Sequence, residues 1–449
     1  MESNQKSQSS INQPINYTQY SYVVRTYQQR ITTKHPLYKI LNDLTIKSNN
    51  LYNLSLYHLR QHFFNYNQLI NRFNLSTLLN DTEDFQKLPA KTSQFIVHQA
   101  CNSMSSFIKS LKSYNRNPSK FTGRPKLPKY KKNHKNSKHI YKNLIKFDYQ
   151  QLKIIQNNKI RLPNKIGLID IPSYLTGIQV KPSKDSLTTI QNYDLELQEI
   201  RVIPKHKSLI IEYVYEKRLI IPQLTGSRIA SIDLGLDNFV ALVTSESTLP
   251  GFLINGKGLK SYNHNFNKKL SKLQSQSQRS GNCTSNKIQN LYEKRNQYMK
   301  TFMHKTSRFI VNYLQQNHVS TLIIGHNINQ KQNINLGRKT NQKFVQIPFT
   351  TLIKQLKYKC YESGIKLIIT EESYTSGTSF LDNELPTKQF YNNTRRKYRG
   401  LFVSNTGFKI NSDINAAYQI MKKVQPQISL NPETLQDIIH NTPIRINIA

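Results

Sequence analysis

Residues 228–241 read RIASIDLGLDNFVA. Ile229, Ala230 and Ile232 form an apolar run that ends at Asp233 and Leu234. Gly235 follows, and Asn238, Phe239 and Val240 open a second apolar run. The pattern predicts two strands joined by a tight turn at the glycine. A carboxylate among apolar strand residues is costly unless something pairs with it. A turn aspartate at a hairpin end is the plain alternative, so the weight falls on whether distant acids join Asp233.

Composition narrows the choice. The 449 residues contain 64 Lys plus Arg against 25 Asp plus Glu, a formal net charge of +39. Small-molecule chemistry needs no such excess, which predicts a polyanionic partner, nucleic acid before membrane surface. No apolar run is long enough to span a bilayer, and the Ser/Asn/Gln-rich start does not resemble a secretory leader. The three cysteines, Cys101, Cys283 and Cys360, stand far apart with no CxxC pair. Neither a disulfide framework nor a thiolate zinc site is expected, and the expected setting is intracellular, cytoplasmic and nucleoid-associated. There is no Trp, but 26 Tyr and 19 Phe can stack on bases as well as fill a core.

Along the chain, residues 1–18 are expected to be a disordered polar tail. Residues 20–31 read as a strand. From 36 to 111 apolar residues recur at helical spacings, with a second helix expected from Ser93 to Leu111. Residues 112–146 hold 12 Lys/Arg and no acid. Within them Gly123-Arg124-Pro125-Lys126-Leu127-Pro128-Lys129-Tyr130 cannot be helical. An extended basic segment with interleaved aromatics suits a phosphate backbone, against the alternative of a merely solvated loop. Its candidate contacts are Arg124, Lys126, Lys129, Tyr130, Lys131 and Lys132. Residues 160–215 alternate as strands and are expected to form a small β-barrel-like module completed by the strand at Tyr20. The organisation expected is therefore a β module from 19–35 and 112–222, a helical domain at 36–111, an α/β domain at 228–425 and a tail at 426–449. In the α/β domain two basic amphipathic helices are expected over 258–280 and 286–315. Buried strands are expected at 319–325 and 365–370, and helices at 348–363 and 413–423, with Gly364 and Ser412 as caps. Near-continuous apolar strands imply helices on both faces of the sheet.

Acids are scarce, so their positions carry information. Glu371 and Glu372 follow the run Lys366–Thr370 and must face opposite ways. Asp413 opens a helix beside the small residues Ala416 and Ala417, although an acid there is ordinarily just a cap. Phosphodiester cleavage needs an activated water and a charge sink, which two divalent cations held by carboxylates supply. Asp237 is expected to be a turn residue, His326 structural, and Gly256-Lys257-Gly258 lacks the rest of a phosphate loop.

DLGLDN around Asp233, TEESYTS from Thr370 to Ser376, SDINAAYQI around Asp413 and the FTGRPKLPKYKK stretch together resemble the split RuvC nuclease of the TnpB (OrfB) transposon-encoded proteins, relatives of the type V CRISPR effectors. The resemblance spans about residues 20–425. It implies an α/β fold: an RNase H-like mixed sheet with flanking helices, preceded by a β-barrel wedge domain with an inserted helical recognition domain. It further implies an Mg²⁺-dependent, RNA-guided DNA endonuclease that binds guide RNA and target DNA as a monomeric protein in a ribonucleoprotein. Asp233, Glu372 and Asp413 would be the catalytic residues and ligands of two Mg²⁺ ions, with Glu371 as the alternative glutamate.

The sequence departs from the family pattern twice. The family's usual middle glutamate follows the strand that here reads Thr321–Ile324, but Gly325-His326-Asn327 stand there. Glu372 on the next strand fits a rearranged variant, since neighbouring strands lie about 4.8 Å apart. The four-cysteine zinc ribbon is replaced by Ser376-Gly377-Thr378-Ser379 and Asp382, so zinc is not expected. That insertion, 376–411, keeps Arg395, Arg396, Lys397 and Arg399 as nucleic-acid contacts. The competing expectation is a catalytically inactive, repressor-like protein of the same fold, motivated by the missing glutamate.

Overall fold

The computed structural model describes residues 20–131, 141–156, 158–180, 194–222, 226–281, 285–327, 347–398, 400–428 and 431–448. Two units divide near residue 220.

In the first unit β1 (Tyr20–Thr32) runs into four helices before the chain returns to strand. These are α1 (Tyr38–Tyr66), α2 (Arg72–Leu79), α3 (Glu83–Gln86) and α4 (Ala90–Arg116). The strands that follow are β2 (Ile145–Asp148), β3 (Lys153–Ile155), β4 (Lys159–Arg161), β5 (Leu168–Asp170), β6 (Gln179–Val180), β7 (Leu195–Pro204) and β8 (Ser208–Ile220). β1 pairs antiparallel with β8 from Tyr20↔Ile220 to Thr32↔Ser208. The helical domain is thus inserted into a sheet, as the alternation at Tyr20 predicts. That sheet runs β1-β8-β7-β2 with β6 on β7, and β3-β4-β5 form another. Among the described residues these strands make two sheets, and no pairing between their edges closes a barrel.

Over residues 41–59 α1 buries one face, and the apolar spacings look mixed because Ile46 and Leu54 lie outside it, half-buried. Leu41, Leu51, Leu56 and Leu59 pack into the core shared with Ile96, Val97, Ala100 and Met104 of α4. α4 extends beyond the expected span at both ends. Pro89 precedes its first turn and Pro118 follows its last, where each breaks no helical hydrogen bond.

In the second unit, β9 (Arg228–Leu234), β10 (Asn238–Thr244) and β11 (Phe252–Asn255) form a meander. Next come α5 (Lys257–Arg279), α6 (Asn286–Gln316), β12 (Val319–Gly325), α7 (Phe349–Glu362) and β13 (Lys366–Thr370). A small sheet follows, of β14 (Arg396–Tyr398), β15 (Leu401–Val403) and β16 (Lys409–Asn411); α8 (Ser412–Val424), α9 (Pro432–His440) and β17 (Ile444–Ile446) complete the unit. The main sheet has the order β13-β12-β9-β10-β11-β17. β9, β12 and β13 are mutually parallel and β10 is antiparallel to both neighbours. The span 426–449, read from sequence as a tail, carries α9 and β17; β17 lies parallel to β11 at the sheet edge.

Strand alternation sorts the side chains into two cores. Ala230, Ile232, Leu322 and Ile324 pack with Met303, Ile310, Val311 and Leu314 of α6 and Leu352 and Leu356 of α7. Phe239 stacks on Phe349, centroids 5.6 Å apart. On the opposite face Val243, Leu253 and Ile323 pack with Ile414, Ala417, Ile420 and Met421 of α8. Helices therefore cover both faces, as the apolar strands imply. Gly325 lets α8 approach: a Cβ there would lie 2.5 Å from the Ile420 side chain.

α7 ends at Ser363, and Gly364 follows in the left-handed region at φ +72. A Cβ on Gly364 would stand 1.9 Å from the Pro222 carbonyl oxygen. Gly364→Ala combines a disfavoured backbone conformation with a backbone clash. It is expected to cost about 2 kcal/mol or more, seen as a lowered denaturant midpoint with unchanged slope; an unchanged midpoint would contradict it.

Candidate active site

Asp233 shares its strand parity with Ser231, whose hydroxyl donates to the Ala417 carbonyl oxygen of α8 at 2.6 Å. Asp233 therefore points to the α8 face, away from the α6/α7 core. Asp413 sits in the first turn of α8. Asn411, not the expected Ser412, caps this helix, its side chain accepting from the Asp413 and Ile414 N–H groups at 3.0 and 3.3 Å. With the cap supplied by Asn411, the Asp413 carboxylate is released from capping. It accepts instead from the side-chain amide of Asn238 at 2.7 Å.

Glu371 and Glu372 differ in their surroundings. Glu372 continues the parity of Ile368 and Thr370 on the α8 side. Its N–H donates to the Asn327 side-chain oxygen at 3.0 Å, and the Asn327 amide reaches back to its carboxylate at 3.4 Å. Glu371 is two-thirds exposed, 3.9 Å from Lys423, and accepts from the Ser373 hydroxyl. Asn238 and Asn327 were not among the sequence candidates. Asn327 stands after β12, where the family glutamate is expected, and it steadies the glutamate of the neighbouring strand instead.

The electrostatics tie the three acids together. Asp233 is pushed up to about 8, first by burial, then by the charges of Asp413 and Glu372; Arg396 and the Leu234 backbone N–H act weakly the other way. A site that crowds carboxylates at the cost of their ionisation invites a cation. Hard carboxylate oxygens suit Mg²⁺. Even so, among the described residues no group of three or more His, Cys, Asp or Glu side chains stands ready-closed around a metal position. A cleft of about 330 Å³ opens beside Asp413, lined also by Asn238, Asp237, Lys257, Arg396 and Arg445; Asp233 and Glu372 are not in its lining. Asp237 is held by Lys260 at 2.8 Å, and its carbonyl accepts from Gly256 N–H, which fits its expected turn role. His326 donates its backbone N–H to Thr370, extending the β12–β13 ladder.

The other sequence candidates divide. Arg124, Lys126 and Lys129 are exposed on an extended segment. Tyr130 is instead covered by Arg60, 4.8 Å above its ring. Lys131 turns inward: its ammonium donates to Asn143 at 2.7 Å and lies over Tyr52, and burial lowers its pKa. These two anchor the segment to α1 and do not present it to a partner. Lys132 and Arg399 lie outside the described residues, as does Cys283. Arg395 is also turned inward, onto Glu384 at 2.6 Å, while Arg396 faces the acid site.

The insertion does not fit zinc. Ser376–Ser379 and Asp382 offer hydroxyls and one carboxylate, with no thiolate. Asp382 instead accepts from the N–H groups of Asn405 and Thr406 at 2.7 and 3.3 Å and from the Thr406 hydroxyl at 3.1 Å, and so clasps two loops. Burial opposes its charge, but these donors outweigh it and hold Asp382 below the usual carboxylate range. The clasp therefore contributes fully above the usual range and is lost as pH falls beneath it, through the lowered value of Asp382. Asp382→Ala is expected to destabilise the insertion by about 1–3 kcal/mol. Proteolysis within 376–411 should then be faster, and EDTA should leave the wild-type rate unchanged; EDTA sensitivity would contradict the account.

Comparison with known proteins supplies a family context. Residues 212–331 match the family model OrfB_IS605, described as "Probable transposase". Residues 349–420 match one described as "Cas12f1-like, TNB domain". The TnpB-like protein ORF457 of Acidianus two-tailed virus is 24% identical over 216 residues, which is 46% of this chain and 44% of the viral protein. The match thus spans under half the relative's length. Among solved structures, the Cas12f1 of a Cas12f1–sgRNA–target DNA complex superposes with TM-score 0.53 at 16% identity, covering 88% of this chain and 83% of that one. The mini-RNA-guided endonuclease CRISPR-Cas_phi3 gives TM-score 0.40 at 10% identity, covering 94% and 93%. The Cas12f1 likeness is one of fold.

Proposed function

The chain belongs to the TnpB (OrfB) family, related to the type V effectors, and on that premise we propose that it is an RNA-guided DNA endonuclease whose cutting centre is Asp233, Glu372 and Asp413. The observation that carries this is the coupling of Asp413 and Glu372 to a strand carboxylate, across 180 positions, in a chain of net charge +39.

Two Mg²⁺ ions bound by these three acids would supply an activated water and a charge sink for the leaving oxygen. The protein's own groups set the stage. Asn238 orients the Asp413 carboxylate and Asn327 orients that of Glu372. Arg396, which lines the same cleft as Asp413, attracts the scissile phosphate. The helical domain at 36–111 and the β module around it act as recognition and wedge elements, and the domain from 228 acts as the RuvC-like nuclease, its sheet of the RNase H type. Base pairing with the guide reads sequence, while the protein reads a short flanking motif and the shape of the duplex.

The test starts from RNA that co-purifies with the full chain. After sequencing, the ribonucleoprotein is offered plasmids carrying the matching target beside a randomised flank, with Mg²⁺. Linear product confined to a subset of flanks is expected. Intact plasmid across the whole library, with guide RNA demonstrably bound, would overturn the proposal.

A further inference from the structure

A second cleft, of about 640 Å³, lies along α5 and is lined by Leu236, Asp237, Lys257, Lys260, His264 and Lys268 among others. It shares Leu236, Asp237 and Lys257 with the cleft beside Asp413. These three residues form a wall common to the two clefts.

The cations follow one face of the helix. At 100° per residue, positions 257, 260, 264 and 268 fall within a single stripe. Lys257, His264 and Lys268 are exposed. Lys260 is the exception: it is held by Asp237 and forms part of the wall. Among the described residues no ion pair engages Lys257 or Lys268. The stripe is about 16 Å long at 1.5 Å per residue. That is room for about five nucleotides at 3.4 Å each. Arg396 and Arg445 add to the positive lining of the cleft at Asp413. A basic helix face of itself is an ordinary solvated surface. One that opens through a shared wall onto a carboxylate site has a direction.

We propose that the α5 face is the track along which a single DNA strand reaches the acid site, its phosphates held by Lys257 and Lys268 with His264 between them. This rests on the nuclease assignment for what happens at the strand's end, though not for the binding itself. One strand is the occupant because the path follows one helix face and ends at the smaller cleft, where a single backbone meets Asp413.

The test is the salt dependence of binding to a fluorescein-labelled single-stranded DNA, followed by anisotropy on the full-length protein. Each phosphate contact contributes about 0.7 to the slope of log affinity against log salt. Lys257→Gln/Lys268→Gln is expected to make the slope shallower by about 1.4 and to weaken binding about tenfold at low salt. Lys354→Gln/Lys357→Gln, exposed on α7 and outside the lining of either cleft, removes the same net charge and is expected to keep the wild-type slope. Equal losses in both double variants would mean a net-charge effect, and no loss in the α5 variant would mean no track; either overturns the proposal. Both α5 lysines are exposed, and coincident thermal melts verify that folding is intact. Cleavage is not the readout. If the protein never cuts DNA but the α5 slope falls, the track stands and the nuclease assignment fails.

Discussion

Asp233→Asn protein, loaded with guide, is expected to cut its matched target at least about a thousandfold more slowly than wild type. In EDTA at neutral pH it is expected to melt higher. The two effects have one cause. Burial and the charges of Asp413 and Glu372 push Asp233 up to about 8, against an ordinary 3.8. Between those values the folded chain holds a proton that the unfolded chain has released. Metal-free stability attributable to this group is therefore full below pH about 4 and declines as pH rises toward 8. Asp233 keeps part of its surface in solvent, which limits the decline to a few kcal/mol at most. Asparagine keeps the shape without the charge, so its melting temperature should be flatter over the same window. Mg²⁺ should raise the wild-type melting temperature at pH 8 and leave the variant nearly unmoved. Two measurements decide: gel-based cleavage rates, and melting curves at pH 5 and pH 8 with and without metal. Equal cutting, or parallel melting curves across pH, would remove Asp233 from the centre.

The sequence made the sheet legible because its strands are nearly all apolar and its helices strongly periodic. β12 falls on 319–325 as expected, and α6 extends one residue past its expected 286–315. What was not legible depends on contacts between distant segments. A cap at Asn411 and a cap at Ser412 look alike in sequence, and only the Asn411 bonds to two N–H groups show which is used. Nothing in the sequence marks Asn238, at the start of a strand, or Asn327, just past one, as partners of acids 175 and 45 positions away. Lys131 and Arg395 sit in strongly basic stretches, and charge counting cannot tell an inward cation from an outward one. β17 is three residues long, too short for a periodic signal, and is fixed by its pairing to β11. The loss of zinc ligands was plain from composition, whereas the Asp382 clasp that holds those loops required their geometry.

Glu372→Gln is expected to reduce cleavage by about a hundredfold or more, and Glu371→Gln to change it by less than about twofold. The doublet makes this a comparison of neighbours with identical chemistry, separated only by their surroundings. Glu372 is anchored at both ends by Asn327 and adds its charge to the field on Asp233. Glu371 is two-thirds exposed, and its contact with Lys423 is a surface ion pair worth about 0–1 kcal/mol. Asn327→Ala supplies the intermediate case. It leaves every carboxylate in place but frees the Glu372 side chain, so a loss of about tenfold in rate is expected, with the midpoint of Mg²⁺ activation moved to higher concentration. Rate against Mg²⁺ for the three variants separates the possibilities. A Glu371→Gln loss equal to that of Glu372→Gln would mean that the doublet acts through backbone placement alone. An unaffected Glu372→Gln enzyme would leave the third acid unidentified and return weight to a chain that grips nucleic acid without cutting it.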